Sequence, residues 1–256
     1  MKANLRVHIA PVGFQFKRIT EPLIKMRADK VYLLTFGPND EASNFLERVK
    51  KELKSEYGVI NMKETFVDLW DPFACIESMR KIIADEKKQG NHVYVNVSTG
   101  TKITAIAGML SCMLWDGTPY YARVAYPKQK KPEPPPSEIV DDPQVLPVYD
   151  IKKPKTEHLL ILGLLQSKGG KMRKAQLIDL LVDRGIIAPK AELKGEFTEA
   201  AKHSQLRSLV DPMREEWKFV TVEASGRRSE VTLTDQGETA LKIFGAAETG
   251  VTAKRE

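Results

Sequence analysis

The stretch Val93-Tyr-Val-Asn-Val-Ser-Thr-Gly-Thr-Lys-Ile-Thr-Ala-Ile-Ala-Gly-Met-Leu-Ser-Cys-Met-Leu114 decides the fold. It begins as a short apolar run typical of a buried β-strand and ends as a long apolar run typical of a helix. A small-residue, hydroxyl-rich turn at 98–102 joins the two. The first N–H groups of a helix have no intrahelical partner and carry the positive end of its dipole, so this turn is predicted to hold a phosphate. The alternative is that Ser98 or Thr99 only caps a core helix.

The residue types in this turn suit an anion. Ser98, Thr99 and Thr101 offer hydroxyl groups, Gly100 allows close approach of the backbone, and Lys102 supplies a full positive charge. The spacing is neither that of a Walker A loop nor that of G-x-G-x-x-G. Lys102 has a second interpretation, as a lysine that extends from the helix start into solvent.

Short apolar runs alternate with helical patterns through the first 126 residues. We predict strands at 5–10, 31–36, 64–69, 92–97 and 120–125, and helices at 19–28, 40–56, 72–89 and 103–115. This alternation indicates an α/β domain over residues 1–150, a Rossmann-like parallel sheet with helices on both faces.

In such a sheet, ligands bind beyond the carboxyl ends of the strands. The turn at 98–102 lies at one such end and the loop at 11–18 at another, so we expect both loops to face one crevice. Candidate ligand-binding residues of the first loop are Gly13, Phe14, Phe16, Lys17 and Arg18. Phe14 and Phe16 suit stacking on bases, although aromatic residues in such a loop also serve as core residues.

The composition changes between Pro127 and Pro154, where prolines and a solvated run of Lys128, Lys130 and Lys131 indicate an exposed, extended segment. Residues 151–256 then form a second predicted domain. Its pattern predicts helices at 156–166, 173–184 and 198–216, strands at 217–223 and 230–234 joined by a hairpin tip at 224–229, and a last helix at 235–244. Pro212 is expected to bend or end the third helix.

This order, three helices and a two-stranded wing ending in Leu233-Thr-Asp-Gln-Gly237, resembles the winged helix-turn-helix of archaeal and bacterial regulators. The resemblance implies that the third helix enters the major groove of DNA and that the wing tip approaches the backbone. The candidate DNA-binding residues are Lys202, His203, Gln205, Arg207 and Ser208 on the helix, and Arg227 and Arg228 on the wing. A dimerisation or protein-docking role is the alternative.

The turn ending in Lys102, together with the Gly13 loop and the Arg18-Ile-Thr-Glu-Pro22 that follows it, resembles the CRISPR-associated Rossmann-fold (CARF) sensor family. The resemblance implies a homodimer that binds cyclic oligoadenylate or a related nucleotide across its two-fold axis. It also implies that the chain belongs with archaeal transcription regulators, in which a CARF domain is fused to a winged helix.

Composition narrows the function further. The chain has a net charge of +6 from 40 basic and 34 acidic residues, which permits an anionic ligand or nucleic acid. Cys75 and Cys112 lie in apolar helical patterns and are expected to be buried thiols of a cytoplasmic protein. We expect no membrane span, metal site or cofactor, because the apolar runs are too short and the histidines are scattered.

The preferred hypothesis is a nucleotide-responsive DNA-binding transcription regulator without catalytic residues. The sequence leaves two alternatives open. One is a ring nuclease that cleaves the cyclic nucleotide, with Ser98 and Lys102 stabilising the transition state. The other is a protein-interaction module of a defence system.

Overall fold

The computed structural model describes residues 4–37, 43–57, 61–124, 140–189, 197–223 and 229–245. The chain divides into two compact units, residues 1–152 and residues 153–256. Among the described residues, no helix is both long and apolar enough to span a bilayer.

The N-terminal unit is a six-stranded sheet with helices between its strands. Its strands are β1 (Arg6–Pro11), β2 (Lys30–Thr35), β3 (Asn61–Phe66), β4 (His92–Asn96), β5 (Thr118–Tyr121) and β6 (Gln144–Val145). Its helices are α1 (Lys17–Lys25), α2 (Ser43–Tyr57), α3 (Pro72–Lys88) and α4 (Lys102–Trp115). The strand order is β3-β2-β1-β4-β5-β6, and all pairs are parallel except β5 with β6. The predicted Rossmann-like α/β class is confirmed.

The two faces of the sheet carry different helices. Ile19 and Leu23 of α1 and Leu46 and Leu53 of α2 share one core cluster with strand residues such as Leu33. On the opposite face α4 packs so closely that a Cβ at Gly108 would lie 3.0 Å from Val97 and 3.1 Å from Val95. From β1 the chain adds β2 and β3 on one side of the sheet, and then crosses over to add β4, β5 and β6 on the other side. The strand order therefore reverses between β1 and β4.

Two features of this unit differ from the sequence predictions. β3 was expected to be nearly continuous in apolar residues, but it is the edge strand Asn-Met-Lys-Glu-Thr-Phe and is mostly exposed. It begins at Asn61, three residues before the predicted start. Helix α1 begins at Lys17, two residues early, and includes Pro22. The missing N–H of Pro22 leaves the Arg18 carbonyl without an intrahelical partner, and Asn96 Nδ2 donates to that carbonyl instead, at 2.9 Å.

The C-terminal unit is a helical cluster with a three-stranded sheet. Its elements are α5 (Thr156–Ser167), β7 (Lys171–Arg173), α6 (Lys174–Asp183), α7 (Glu199–Glu215), β8 (Val220–Glu223), β9 (Glu230–Leu233) and α8 (Asp235–Phe244). The sheet is antiparallel in the order β7-β9-β8. Strand β7 is absent from the sequence prediction because three residues are too few to show a periodic pattern. The expected winged-helix order of elements is confirmed.

The Leu-Thr-Asp-Gln-Gly motif closes this unit. Thr234 Oγ1 accepts the N–H of Gly237 at 3.2 Å and donates to the carbonyl of Lys218 at 2.6 Å. A Cβ at Gly237 would lie 2.4 Å from the Phe219 carbonyl oxygen, so only glycine lets α8 approach β8 this closely. Pro212 does not end α7, which continues for three more residues to Glu215. Its missing N–H therefore removes one hydrogen bond near the end of the helix without terminating it.

Candidate functional site

The loops after β1 and β4 meet at the point where the strand order reverses. A Cβ placed on Gly13 would lie 3.0 Å from the backbone nitrogen of Gly100. Gly100 has φ +77°, and a Cβ there would lie 2.6 Å from both Pro11 Cβ and Thr104 Oγ1. Both glycines are therefore needed for the two loops to touch. The loops do lie together at the carboxyl edge of the sheet, as the topology argument requires.

Hydrogen bonds hold the two loops in this arrangement. Thr99 Oγ1 donates to the Pro11 carbonyl at 2.8 Å, and Asn96 Nδ2 donates to the Arg18 carbonyl at 2.9 Å. Asn96 Oδ1 accepts from both the N–H of Ser98, at 2.9 Å, and its hydroxyl, at 2.5 Å. Asn96 is fully buried. It was missed by the sequence analysis, although a polar residue that ends an apolar strand is a signal for such a role.

The start of α4 carries a reciprocal cap. Thr101 Oγ1 accepts the N–H of Thr104 at 3.1 Å, and Thr104 Oγ1 accepts the N–H of Thr101 at 2.9 Å. Thr101 Oγ1 also donates to the Leu69 carbonyl at 3.0 Å, which joins the loop after β3 to this edge. The alternative raised from the sequence named Ser98 or Thr99 as the cap of this helix, but the cap is Thr101.

This arrangement changes the role expected of the three hydroxyl groups. Ser98, Thr99 and Thr101 were predicted to offer donor hydrogens to an anion, but each donates to a protein oxygen. Their hydroxyl groups instead shape the turn. The N–H groups of Lys102 and Ile103 have no partner among the described residues. These helix-start N–H groups are the donors that the backbone leaves for an anion.

Two cations lie on the elements that form this edge, Lys102 at the start of α4 and Arg18 in α1. Lys102 is exposed at the first position of α4 and forms no ion pair with a described residue. Arg18 Nε donates to the Ala122 carbonyl at 2.9 Å, its guanidinium lies 5.1 Å from the Tyr121 ring centroid, and no described carboxylate pairs with it. Arg18 therefore places positive charge between the β1 loop and the end of β5.

The other predicted ligand-binding residues of the first loop lie in different environments. Phe14 is 63% exposed and contacts Phe45 edge to face. Phe16, by contrast, is buried in the core beneath the Arg48 guanidinium, so its ring is not available to stack on a base. Lys17 Nζ pairs with Glu52 at 2.8 Å, so its charge is neutralised within the unit. Phe16 and Lys17 were assigned to the ligand from sequence, and the structure gives both of them roles inside the fold.

Beneath this edge lies a buried histidine. His8 on β1 stacks on Tyr94 with a centroid distance of 4.9 Å, and its Nδ1 lies 3.4 Å from the Tyr120 hydroxyl. Burial lowers the pKa of His8 to about 3, with a smaller contribution from Arg6, so the ring is neutral in the fold.

Burial also raises the pKa of Cys75 to about 11 and that of Cys112 to about 12, so both remain thiols. Among the described residues, no group of His, Cys, Asp and Glu has the arrangement of a metal site.

In the C-terminal unit, helix α7 presents its predicted residues unequally. His203, Arg207 and Ser208 are exposed, whereas Lys202 is half-buried and pairs with Glu199 at 2.5 Å. Gln205 faces inward, where it accepts from the N–H of Ala188 at 3.2 Å and donates to the Ala188 carbonyl at 2.9 Å. The assignment of Gln205 to base recognition therefore does not fit the structure, because both of its polar atoms are used within the unit. Arg227 and Arg228 lie outside the described residues.

A cationic groove runs along α7. It has a volume of about 160 Å³, and its polar and charged lining consists of Lys174, His203, Arg207, Arg214 and Asp211. Arg214 is partly neutralised by Asp211 at 3.2 Å and Glu215 at 2.6 Å, whereas Arg207 has no ion pair with a described residue. Lys174 and Arg214 were not among the predicted residues. Lys174 lies on α6, and only the fold brings it to this groove. Arg214 lies seven residues after Arg207 on the same helix, so helical periodicity could have identified it.

Fold and site together define a two-domain protein with a Rossmann-like domain followed by a winged helix domain. Residues 157–245 match the family described as the DUF6293 C-terminal winged helix domain, and residues 6–126 match the family described as "HFX_2341_N:-like, N-terminal". The winged helix domain expected for the second half of the chain is confirmed.

Two curated relatives are archaeal. An uncharacterized protein of Archaeoglobus fulgidus is 22% identical over 244 residues, covering 93% of this chain and 98% of that protein. Uncharacterized protein MJ1513 of Methanocaldococcus jannaschii is 34% identical over 116 residues, covering 42% of this chain, which spans only 33% of that protein. Among solved structures, Csm6 of Enterococcus italicus bound to cyclic hexa-2'-fluoro-hexa-dAMP aligns with TM-score 0.44 and 13% identity. That alignment covers 84% of this chain and 56% of Csm6.

Proposed function

We propose that this protein is a ligand-responsive, DNA-binding transcription regulator. Its N-terminal unit binds a nucleotide of the cyclic oligoadenylate class, and its winged helix domain binds double-stranded DNA. The observation that carries the proposal is the contact of the β1 and β4 loops through Gly13 and Gly100, at the edge where Arg18 and Lys102 keep unpaired positive charge. In open α/β sheets, this reversal of strand order is where ligands bind.

The chemistry of this edge suits a phosphodiester. The free N–H groups of Lys102 and Ile103 and the positive end of the α4 dipole favour an anion, and Lys102 adds a full charge beside them. Hydrogen bonds to charged groups are about twice as strong as neutral ones. The choice of a cyclic oligoadenylate among phosphodiesters comes from the resemblance to the CARF family.

A symmetric nucleotide suits a two-fold dimer, and α4 offers a surface for one. Ile103, Ile106, Leu110 and Met113 follow a 3-4-3 spacing that places them along one stripe of the helix. Ile106 is 61% exposed, and the other three are half-buried. We infer that a second copy covers this stripe, which adjoins the proposed site because both lie on the same helix. Two copies of the site would then lie close to one two-fold axis.

Sedimentation measures this dimer. Ile106→Lys places a charge in the stripe and should convert the dimer to monomer at micromolar concentration, whereas Ile151→Lys, a change at another exposed isoleucine, should leave the dimer intact. A monomeric wild type, or a dimer that Ile106→Lys does not affect, contradicts this part of the proposal.

Calorimetry tests the ligand. Cyclic oligoadenylates of several ring sizes should bind with one nucleotide per two chains. Lys102→Ala should weaken binding by about 1.5–3 kcal/mol, the scale of a charge-assisted hydrogen bond. Lys88→Ala, which removes an exposed lysine at the other end of a neighbouring helix, should not change it. If folded protein binds none of these nucleotides, the proposal fails. Analysis of the recovered nucleotide separates a sensor from a ring nuclease, since only the nuclease yields linear products.

The DNA-binding half of the proposal is supported by the winged helix fold and by the charge along α7. His203 and Arg207 lie on the exposed face of this helix, and Lys174 and Arg214 extend the same cationic groove. In winged helix-turn-helix proteins, the corresponding helix lies in the major groove. Selection of fragments from a random DNA pool by the purified dimer should recover a two-fold site. Recovery of no preferred sequence, with and without nucleotide, would favour a docking role for this domain.

A further inference from the structure

Trp70 is an exposed aromatic side chain on a tightly held loop. It is 65% exposed, although the preceding residue, Leu69, is almost fully buried. Its N–H donates to Asp68 Oδ1 at 2.8 Å, which fixes the backbone in a turn. Single exposed aromatic side chains are common on protein surfaces, so the position of Trp70 is more informative than its exposure alone.

The position of this loop relates it to the nucleotide site. The Leu69 carbonyl accepts the Thr101 hydroxyl at 3.0 Å, and Thr101 is the residue that caps α4. Trp70 directly follows Leu69 and Lys102 directly follows Thr101, so the two residues lie on either side of this hydrogen bond. The loop that carries Trp70 is therefore hydrogen bonded directly to the start of α4.

Two carboxylates lie within two residues of Trp70 in the same loop. Asp68 and Asp71 each use Oδ1 to accept a backbone N–H, from Trp70 and Phe73 respectively, both at 2.8 Å. Each residue is exposed and keeps its second oxygen as an acceptor. Carboxylates repel phosphate but accept hydrogen bonds from amino groups. The chemistry of the loop therefore suits the base of a nucleotide better than its phosphate.

We propose that the segment 68–71 is the base-recognition element of the site. Trp70 stacks on one base, and a carboxylate of Asp68 or Asp71 accepts a hydrogen bond from the exocyclic amino group of that base, while its phosphate lies at the start of α4. The inference rests on the proposed nucleotide-binding function and adds a selectivity to it. Adenine, which carries an exocyclic amino group, is preferred over uracil, which presents a carbonyl oxygen at the matching position.

The test measures affinities of the full chain for cyclic tetra-adenylate and cyclic tetra-uridylate by calorimetry. Trp70→Ala should weaken binding of the adenylate about 5- to 150-fold, the range for loss of one base–aromatic stack. Trp70→Phe should retain most of the affinity. Tyr149→Ala removes an equally exposed aromatic residue from another segment and should have no effect.

A second variant tests the selectivity. In the double variant Asp68→Asn and Asp71→Asn, each amide oxygen can still accept the same backbone N–H, so the loop is retained. The second oxygen of each carboxylate is replaced by an amide nitrogen that donates, so the ratio of adenylate to uridylate affinity should fall. Unchanged selectivity would overturn the role of the carboxylates.

The outcomes separate the two proposals. If the wild type binds the adenylate and Trp70→Ala binds it equally well, the stacking inference is wrong and the nucleotide-binding function stands. If Trp70→Ala and Trp70→Phe lose affinity equally and hydrogen exchange in peptides covering 67–75 rises in both, Trp70 has a structural role and the inference is also overturned. If the wild type binds neither nucleotide at any concentration tested, both proposals fail.

Discussion

The two candidate sites of this protein are built from different parts of the chain. At the edge of the N-terminal sheet, the proposed anion-binding groups are backbone N–H groups positioned by the contact of Gly13 with Gly100, and two cations are proposed to complete them. On α7, the binding groups are side chains on one helix face. A substitution that displaces the backbone should therefore abolish binding at the first site. At the second site, each substitution should remove only the contribution of one side chain.

The largest loss of stability and binding is expected from substitution of Gly100, where an added Cβ has the least space. Gly100→Ala adds a Cβ that would lie 2.6 Å from Pro11 Cβ, at a φ of +77° that disfavours alanine. Strain and crowding together should lower the free energy of unfolding of the N-terminal unit by about 2–5 kcal/mol. Hydrogen exchange in peptides from β1 and β4 reports this loss, and calorimetry should show loss of nucleotide binding.

Gly90→Ala is the matched control. It has a similar φ of +81°, but its added Cβ would meet only Asn4 Oδ1, at an ordinary 3.4 Å. It should therefore incur the conformational cost alone, about 1 kcal/mol, and leave nucleotide binding unchanged. Equal effects of the two substitutions would show that crowding between the β1 and β4 loops is not what Gly100 avoids.

The second effect concerns the layer beneath the backbone site. The unfolded chain protonates His8 near its ordinary pKa of about 6.5, whereas the folded unit does not protonate it until about pH 3. Acidification below 6.5 therefore favours unfolding, by about 1.4 kcal/mol per pH unit from this residue, and the stabilisation is fully present only above 6.5.

Denaturant unfolding between pH 6 and pH 4 measures this slope. His8→Gln replaces the ring with a side chain that does not titrate, so its stability should fall less steeply with acidification than that of the wild type. Parallel pH profiles for the two proteins would be inconsistent with a neutral, buried His8.

A smaller effect on stability is expected from substitution of Gln205, which differs from the exposed residues of α7 because it forms hydrogen bonds within the unit. Gln205→Ala removes two hydrogen bonds to Ala188 and should lower the stability of the C-terminal unit by about 1–2 kcal/mol. Sequence preference for DNA should not change, because the side chain does not face outward. Ser208→Ala, on the exposed face, is the control for stability. A relaxed base preference in the Gln205 variant would return this residue to the recognition surface.

The smallest effect is expected from a single cation of the side-chain site. Arg207→Ala should weaken DNA binding by about 1 kcal/mol and reduce the slope of log affinity against log salt by about one unit, if the guanidinium contacts one phosphate. Arg214→Ala should have less effect, because Asp211 and Glu215 already neutralise that charge. Affinities measured at several salt concentrations test both. Equal slopes for Arg207→Ala and wild type would remove Arg207 from the interface.

Much of the fold could be predicted from the sequence, because long periodic segments such as 72–89 and 103–115 carry their own signal. The segments with little periodic signal were predicted less well. Strand β7, which has three residues, was not predicted, and the start of the polar edge strand β3 was predicted three residues late. Pro212 was expected to stop a helix that packing carries three residues further.

Less of the candidate sites could be predicted. The meeting of the two loops follows from topology and was foreseen. The sequence did not show which atoms stay available to a ligand. The hydroxyl groups of Ser98, Thr99 and Thr101 all donate hydrogen bonds to protein oxygens in the fold. Gln205 is similar, since its helical position alone does not reveal the loop that it binds. Contacts distant in sequence decide these roles.

The central claim, that backbone N–H groups at the start of α4 bind the nucleotide, is most directly tested by the amide resonances of deuterated, nitrogen-15-labelled protein. On titration with cyclic oligoadenylate, the account predicts saturable downfield shifts for Lys102 and Ile103 and a change at Gly13 and Gly100, with Gly169 in the C-terminal unit as an internal reference. Resonances at 100–103 that stay unchanged at saturation, or saturable shifts confined to other residues, would contradict it.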